Sequence, residues 1–223
     1  MNARETLEGW AQQGRTTVHE ADAKALLAEI GIPMPERNPS EGPVVVKLCH
    51  DDYPHKSDHG LVRLGLLPDE ATAAAKEMKA RIAGGETLVE AMETESLVEW
   101  IVGCKNDDTF GPIVLMGPGG ILVELLDASE IRLAPVDMET AKEMLSIGAG
   151  GKILDGMRGN EPADRAALGE LISLLSAFYS ENADIISEIE INPVMVRADG
   201  DGLVAADALI ILHDPAQNEK ENK

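Results

Sequence analysis

The sequence predicts an α+β fold with largely antiparallel sheets. Three features carry this: segments of helical period, short β-branched runs between them, and glycine-proline punctuation placed where hairpins turn. Residues 21–30 set Ala23, Leu26, Leu27 and Ile30 on one helical face, and Gly31 followed by Pro33 supplies the stop. Residues 69–82 and 139–147 have the same spacing, and 164–179 repeats it through Leu168, Leu171, Ile172, Leu175, Phe178 and Tyr179. Strands are predicted over 43–48, 87–91, 97–102, 113–116, 121–126, 185–191 and 203–212. Gly117-Pro118-Gly119-Gly120 and Asp199-Gly200-Asp201-Gly202 read as hairpin turns. From Asp214 the chain is polar and reads as a loose tail.

A length of 223 residues suits one medium domain or two packed lobes. With 44% apolar residues but only two each of Trp, Tyr and Phe, the core must be built from Leu, Ile, Val, Ala and Met. A formal charge of −21 repels phosphate backbones and anionic lipid, which argues against nucleic acid and membrane surfaces as partners. Cys49 and Cys104 fit neither a zinc spacing nor a disulfide framework, as in a reducing compartment. The first 18 residues include Arg4, Glu5, Glu8 and Arg15, and no later apolar run approaches the ~20 residues of a membrane span, so a soluble, cytoplasmic protein is expected.

Several short stretches could carry chemistry. In 188–193 strict alternation puts Glu188, Glu190 and Asn192 on one face and Ile189 and Ile191 on the other. A two-residue turn at Asp199-Gly200 pairs residues whose numbers sum to 399, which sets Asn192 opposite Asp207; a turn at Asp201-Gly202 would shift this register. Carbonyl and carboxylate oxygens meeting there are hard ligands of the kind Mg²⁺ prefers, although a solvated acidic edge strand reads equally from the residues alone. Lys47 lies on the face opposite Val46 and Leu48 of an apolar strand and needs an anion, such as bound phosphate, unless it snorkels from an edge. Arg132 in Ile131-Arg132-Leu133 needs a partner for the same reason. The loop 51–60 gathers His55, Lys56, Ser57, Asp58 and His59; His55 is either a nucleophile toward phosphorus or an ordinary loop histidine. Gly117 to Gly120 reads as an anion cradle or a plain hairpin.

Taken in order, AKALLAEIGIPMP (23 to 35), PVVVKL (43 to 48), HKSDHGLVRLGL (55 to 66), TLVEAM (87 to 92), DDTFGPIVLMGPGGILVELL (107 to 126), IRLAP (131 to 135), LDGMRG (154 to 159), EIEINPVMV (188 to 196) and AADALIIL (205 to 212) resemble the ATP-grasp domain of ADP-forming acyl-CoA synthetases, acetyl-CoA synthetase type. The resemblance implies two lobes with mainly antiparallel sheets enclosing a nucleotide. Residues 1–18 are then a lead segment, 19–90 the N-terminal lobe, 91–212 the C-terminal lobe and 213–223 a polar tail. The N-terminal lobe is trimmed, since the family carries a helix-bearing stretch where this chain has only residues 36–43.

The resemblance also implies residue roles. Lys47 resembles the lysine on the ATP phosphates; Glu90 and Met92 fall at the inter-lobe hinge segment that binds nucleotide, and Glu99 is the carboxylate of the following strand. Asn192 and Asp207 resemble the Mg²⁺ ligands, with Glu190 nearby, and His55 the histidine that carries the phosphoryl group. The implied reaction interconverts acyl-CoA, ADP and phosphate with carboxylate, CoA and ATP. No G-x-G-x-x-G unit for CoA is present, so a CoA-binding partner subunit with its own active-site histidine is implied. A non-catalytic nucleotide sensor and a carboxylate-amine ligase acting through an acyl phosphate are the alternatives, and both leave His55 idle.

Overall fold

A computed structural model describes residues 2–51, 53, 56–82, 84–120, 129–156 and 161–214. The predicted strand over 121–126 and the histidine His55 lie outside the described residues.

Helix α1 (Ala3–Gln12) has no counterpart among the predicted elements. Its start is written locally: the Asn2 side chain accepts from Glu5 N–H at 2.8 Å and the Glu5 carboxylate accepts from Asn2 N–H at 3.0 Å, a reciprocal capping box. Strand β1 (Thr17–Val18) follows, then α2 (Glu20–Glu29), which ends where Gly31 takes a φ of 95°. Leu7, Val18, Leu26 and Leu27 all enter the main core. The segment around the expected boundary at 18/19 therefore packs on the larger lobe.

The small lobe is a three-stranded antiparallel sheet, β3-β2-β4, built from β2 (Val44–Cys49), β3 (Val62–Leu66) and β4 (Glu86–Ala91). Helix α3 (Pro68–Lys79) covers one face, burying Val44, Val46 and Leu48 against Ala71, Ala74 and Met78. Alternation sends Val45, Lys47 and Cys49 to the other face, toward α2, and β2 is buried along its whole length.

The large sheet runs β1-β10-β8-β5-β6-β7, with β9 also paired to β8, and every pairing is antiparallel. Its strands are β5 (Val98–Asp107), β6 (Gly111–Pro118), β7 (Glu130–Leu133), β8 (Ile186–Val196), β9 (Leu203–Ala205) and β10 (Ala208–Leu212). Helices α4 (Met138–Met144), α5 (Gly148–Leu154) and α6 (Arg165–Glu181) complete this lobe, and α6 lays Leu168, Ile172 and Leu175 on the core. The predicted helix over 139–147 is thus cut at Met144, and a second short helix follows it.

The predicted register holds along β8. Val194 faces Ala205, Ile191 faces Ala208 and Glu188 faces Ile211, all pairs summing to 399. Between them Asn192 N–H donates to the Asp207 carbonyl at 3.2 Å, and Ala206 N–H to the Pro193 carbonyl at 2.9 Å. The predicted single strand over 203–212 nevertheless breaks at Ala206 and Asp207. Pro193 explains it: it faces Ala206 and has no N–H to return, so the Ala206 carbonyl is left free of the ladder and is taken by the ammonium groups of Lys24 and Lys47. On its other side β8 bulges: Trp100 faces Val194 and Val102 faces Ile191, so one residue of β5 spans Asn192 and Pro193.

No turn begins at Gly117, which belongs to β6 and faces Ile101. Gly119 N–H donates to the Glu99 carbonyl at 2.7 Å, which spends one of the donors an anion cradle would need. A Cβ at Gly119 would sit 3.1 Å from the Glu99 backbone, so the glycine serves close strand approach. Arg132 finds its partner in Glu130 at 3.3 Å on edge strand β7 and keeps 37% of its side chain exposed.

Asp164 ties α6 to the β8–β9 hairpin. One carboxylate oxygen accepts from Ala167 N–H at 2.9 Å as the helix cap, and the other from Gly200 and Gly202 N–H at 3.1 and 2.9 Å. Asp164→Ala removes the cap and strands two turn donors. It should cost about 2 kcal/mol in urea unfolding, with Asp164→Asn costing less. A loss within 0.5 kcal/mol, on the order of a neutral surface change, would contradict this role.

Candidate nucleotide and metal site

The two sheets face each other across a cavity of about 310 Å³. Its walls bring together Lys47 from β2, Glu90 from β4, Met92 just beyond it, Glu99 from β5 and Asp207 from the β9–β10 break. Val45, Val62, Leu64, Pro193 and Met195 supply the apolar part of the lining. A cleft of this kind, mostly apolar with a few converging polar groups, suits a small molecule with a flat ring at one end and charge at the other. Asn192 is exposed and Glu190 half-exposed on β8, next to this lining; the Asn192 amide donates to Glu190 Oε1 at 3.2 Å. At the rim Arg197 straps Glu93 with contacts of 3.0 and 2.5 Å.

Beneath the cleft lies a buried ionic cluster. Lys47 Nζ meets Glu20 Oε1 at 2.5 Å, Glu90 Oε2 at 3.4 Å and the Ala206 carbonyl at 2.5 Å. Lys24 Nζ meets Glu20 at 2.8 Å, Glu90 at 2.6 Å and the same carbonyl at 2.6 Å, which uses its three donors. Lys56 Nζ, in the 3-10 turn Lys56–His59, meets Glu20 Oε2 at 3.2 Å and Asp207 Oδ1 at 3.1 Å. Three lysines thus face three carboxylates, Glu20, Glu90 and Asp207, and their formal charges cancel.

Burial alone would push the Glu20 carboxyl up, but Lys47, Lys24 and Lys56 outweigh it and hold the group at about 2. Lys47 is raised: burial works against its charge, and Glu20, Asp207 and Glu90 more than restore it. Lys56 is raised by Glu20 and Asp207 against the same burial penalty. Asp207 moves the other way from Glu20, up to about 6, through burial first and the nearby Glu20 charge second. The Cys49 thiol is pushed up to about 12 by burial and Glu20, so it packs as a small apolar group.

The donor set fits a magnesium ion. Among the described residues no three His, Cys, Asp or Glu side chains gather into a cage. Mg²⁺ needs no cage, because it takes one or two protein oxygens and fills its octahedron with phosphate and water. Asp207 lines the cavity and Asn192 lies opposite it in the register, next to that lining; a carboxylate and an amide oxygen are the kind of pair the ion would take.

The family model described as an ATP-grasp domain matches residues 9–212. The chain belongs to the ATP-grasp family. It is 33% identical to the beta subunit of acetate–CoA ligase [ADP-forming] II of Pyrococcus furiosus, over 90% of this chain and 93% of that one. It is 31% identical to 4-hydroxybutyrate–CoA ligase [ADP-forming] of Nitrosopumilus maritimus, over 89% of this chain and 31% of that one. Among solved structures it superposes on the dinucleotide-forming acetyl-coenzyme A synthetase 1 of Ca. Korarchaeum cryptofilum with a TM-score of 0.81 and 31% identity, covering 95% of this chain and 100% of that chain. That protein was solved with coenzyme A and Mg-AMPPCP, its phosphohistidine segment pointing towards the nucleotide binding site. In this ATP-grasp chain no described helix is long and apolar enough to cross a membrane.

Glu20 and Lys24 are the cluster residues that sequence reasoning misses, and Lys56 is read there only as one member of the loop 51–60. Glu20 and Lys24 stand at i, i+4 on a helix, a spacing that ordinarily marks a solvated pair, and only their place among Ala21, Ala23, Leu26 and Leu27 hints at burial. Glu20→Gln should destabilise the fold by about 3 kcal/mol at pH 7, because three ammonium groups lose a common partner. Removing Lys24 as well, as Glu20→Gln/Lys24→Met, should return part of that loss. Because the folded pKa of Glu20 lies below its unfolded value, its contribution is full above about pH 4.5 and falls away toward pH 2. The stability gap between wild type and Glu20→Gln, followed by urea unfolding from pH 6 to pH 3, should therefore narrow; a constant gap would contradict the assignment.

Proposed function

We propose that the chain is the nucleotide-binding subunit of an ADP-forming acyl-CoA synthetase, which interconverts acyl-CoA, ADP and phosphate with carboxylate, CoA and ATP. The observation that carries this reading is the convergence on one cleft of Lys47 from β2, Glu90 and Met92 from the end of β4 and just beyond it, Glu99 from β5 and Asp207 from the β9–β10 break. Residues 19–90 and 91–212 are the working division into lobes, bridged by α2. Its apolar face lies in the large-lobe core while Glu20 and Lys24 reach Lys47 and Glu90 of the small sheet.

In this reading Lys47 takes the phosphate end of the nucleotide, and Glu90, Met92 and Glu99 flank its remainder. Asn192 and Asp207 hold Mg²⁺, with Glu190 orienting the Asn192 amide. When bound, the ion neutralises charge on the phosphate oxygens during phosphoryl transfer. The cluster's own charges cancel, so the protein side offers little surplus to do this without it. His55 is the carrier: its neutral imidazole forms an N–P bond to the terminal phosphoryl group as the bond to the ADP oxygen breaks. A partner subunit, as the beta-subunit name of the Pyrococcus relative implies, would bind CoA and receive the phosphoryl group. A cytoplasmic location belongs to the same proposal.

Asp207→Ala should weaken the Mg²⁺-dependent part of ADP binding at least ~10-fold in calorimetry and leave the metal-independent part little changed. Equal Mg²⁺ dependence in variant and wild type would refute the ligand assignment. The purified chain alone should show no acyl-CoA synthetase turnover, and turnover should appear when a CoA-binding subunit encoded nearby is added. Robust turnover by this chain alone would refute the division of labour.

A further inference from the structure

Lys56 is the one lysine of the buried cluster to which the functional reading gives no task. A lysine in a surface turn ordinarily sends its ammonium into water. This one is 6% exposed, and its Nζ reaches both Asp207 Oδ1 at 3.1 Å and Glu20 Oε2 at 3.2 Å. The turn it opens is held a second time through the backbone. The Lys56 carbonyl accepts from Leu61 N–H at 3.0 Å, and the Leu61 carbonyl accepts from Leu48 N–H on β2 at 2.9 Å. Leu61 is itself buried in the small-lobe core. The backbone attachment belongs to the small lobe, whereas the ammonium attachment crosses to the large lobe through Asp207.

Asp207 Oδ1 already accepts from Lys56 and from Ala208 N–H at 2.8 Å. A Mg²⁺ taken by this carboxylate would share it with the Lys56 ammonium and so set a dication close to that cation. Lys47 stands close by as well, and in a site shielded from water such like charges repel far more strongly than in bulk solvent. Glu20 keeps Lys24 and Lys47 as partners, so Lys56 can leave without orphaning the buried carboxylate.

We propose that Lys56 is a built-in competitor of Mg²⁺ for Asp207: its ammonium holds the carboxylate in the nucleotide-free chain and yields it when metal and nucleotide arrive. This rests on the reading of Asp207 as the metal ligand. By linkage, whatever the metal does to the hold on turn Lys56–His59, that hold does to metal affinity by the same factor. Lys56 is a positioning residue in this scheme, acting through Asp207. It directly follows His55 in sequence, which places the competition beside the proposed phosphoryl carrier.

The test is calorimetry of Mg²⁺ in the presence of ADP on the full chain as wild type, Lys56→Met and Lys56→Arg, with amide hydrogen exchange at Leu61. Lys56→Met should raise the apparent Mg²⁺ affinity about tenfold, within the usual span of coupling energies, while Lys56→Arg, which retains a competing cation, stays near wild type. In wild type, Mg²⁺ with ADP should speed exchange at Leu61, and ADP alone should not. Unchanged or weaker Mg²⁺ affinity in Lys56→Met, with wild type binding normally, overturns the competition and leaves the functional reading standing. Unaltered Leu61 exchange on Mg²⁺ binding does the same. No Mg²⁺-dependent ADP binding in wild type removes the functional reading and the competition with it.

Discussion

Glu20 sits in the first turn of α2 with its side chain out of contact with water, and ammonium groups from α2, β2 and the Lys56 turn answer its charge. A carboxylate buried without partners costs several kcal/mol, so the fold closes around Glu20 only where α2 and β2 bring Lys24 and Lys47 to it, with Lys56 as a third partner. That condition fixes how the two lobes meet. Lys24 and Lys47 then share Glu90 and the Ala206 carbonyl, which joins β4 of the small sheet to the gap between β9 and β10 of the large one. The gap in turn exposes Asp207 at the cavity. A buried ion cluster is a weak source of net stability, and here its value lies in specifying one arrangement of two lobes.

The same cluster frames the chemistry. The chain as a whole carries a charge of −21 and repels anions at long range. Binding a nucleoside di- or triphosphate therefore depends on lysines focused in the cleft, and these are already matched one for one by carboxylates. The missing positive charge has to enter with the ligand, which is why a magnesium nucleotide, rather than free nucleotide, is the natural occupant. In the proposed reading the apolar side of the lining, Val45, Val62, Leu64 and Met195, would give the base a surface, with Lys47 and Asp207 at the phosphate end.

Much of this was legible in the sequence where a short-range rule governs. The register of β8 against β9 and β10 followed from one turn, and the placement of Lys47 opposite Val46 and Leu48 followed from strand alternation. Helix α1 was legible as well, in its start signal Asn2 and Glu5 and in Ala3, Leu7, Trp10 and Ala11 at helical spacing on one face. The break at Ala206 was legible too, since the same register sets it opposite Pro193, which has no N–H to give. Two features were hidden because they answer to distant groups. The bulge at Asn192 and Pro193 depends on pairing with β5. The burial of Glu20 and Lys24 depends on the small lobe covering a helix face that alone reads as solvated. Gly119, read as part of a hairpin turn, also lets β6 approach Glu99, a second role that only the neighbouring strand reveals.

The functional account stands most directly on whether the phosphoryl group passes through this chain's own histidine. Incubation of the full chain, with its partner subunit present, in Mg-ATP followed by phosphopeptide mapping under alkaline conditions measures this. The account predicts acid-labile, base-stable phosphate on His55, absent from His59 and lost in His55→Ala while nucleotide binding persists. A reconstituted enzyme that turns over normally as His55→Ala, or that carries no base-stable phosphate on this chain, would contradict it.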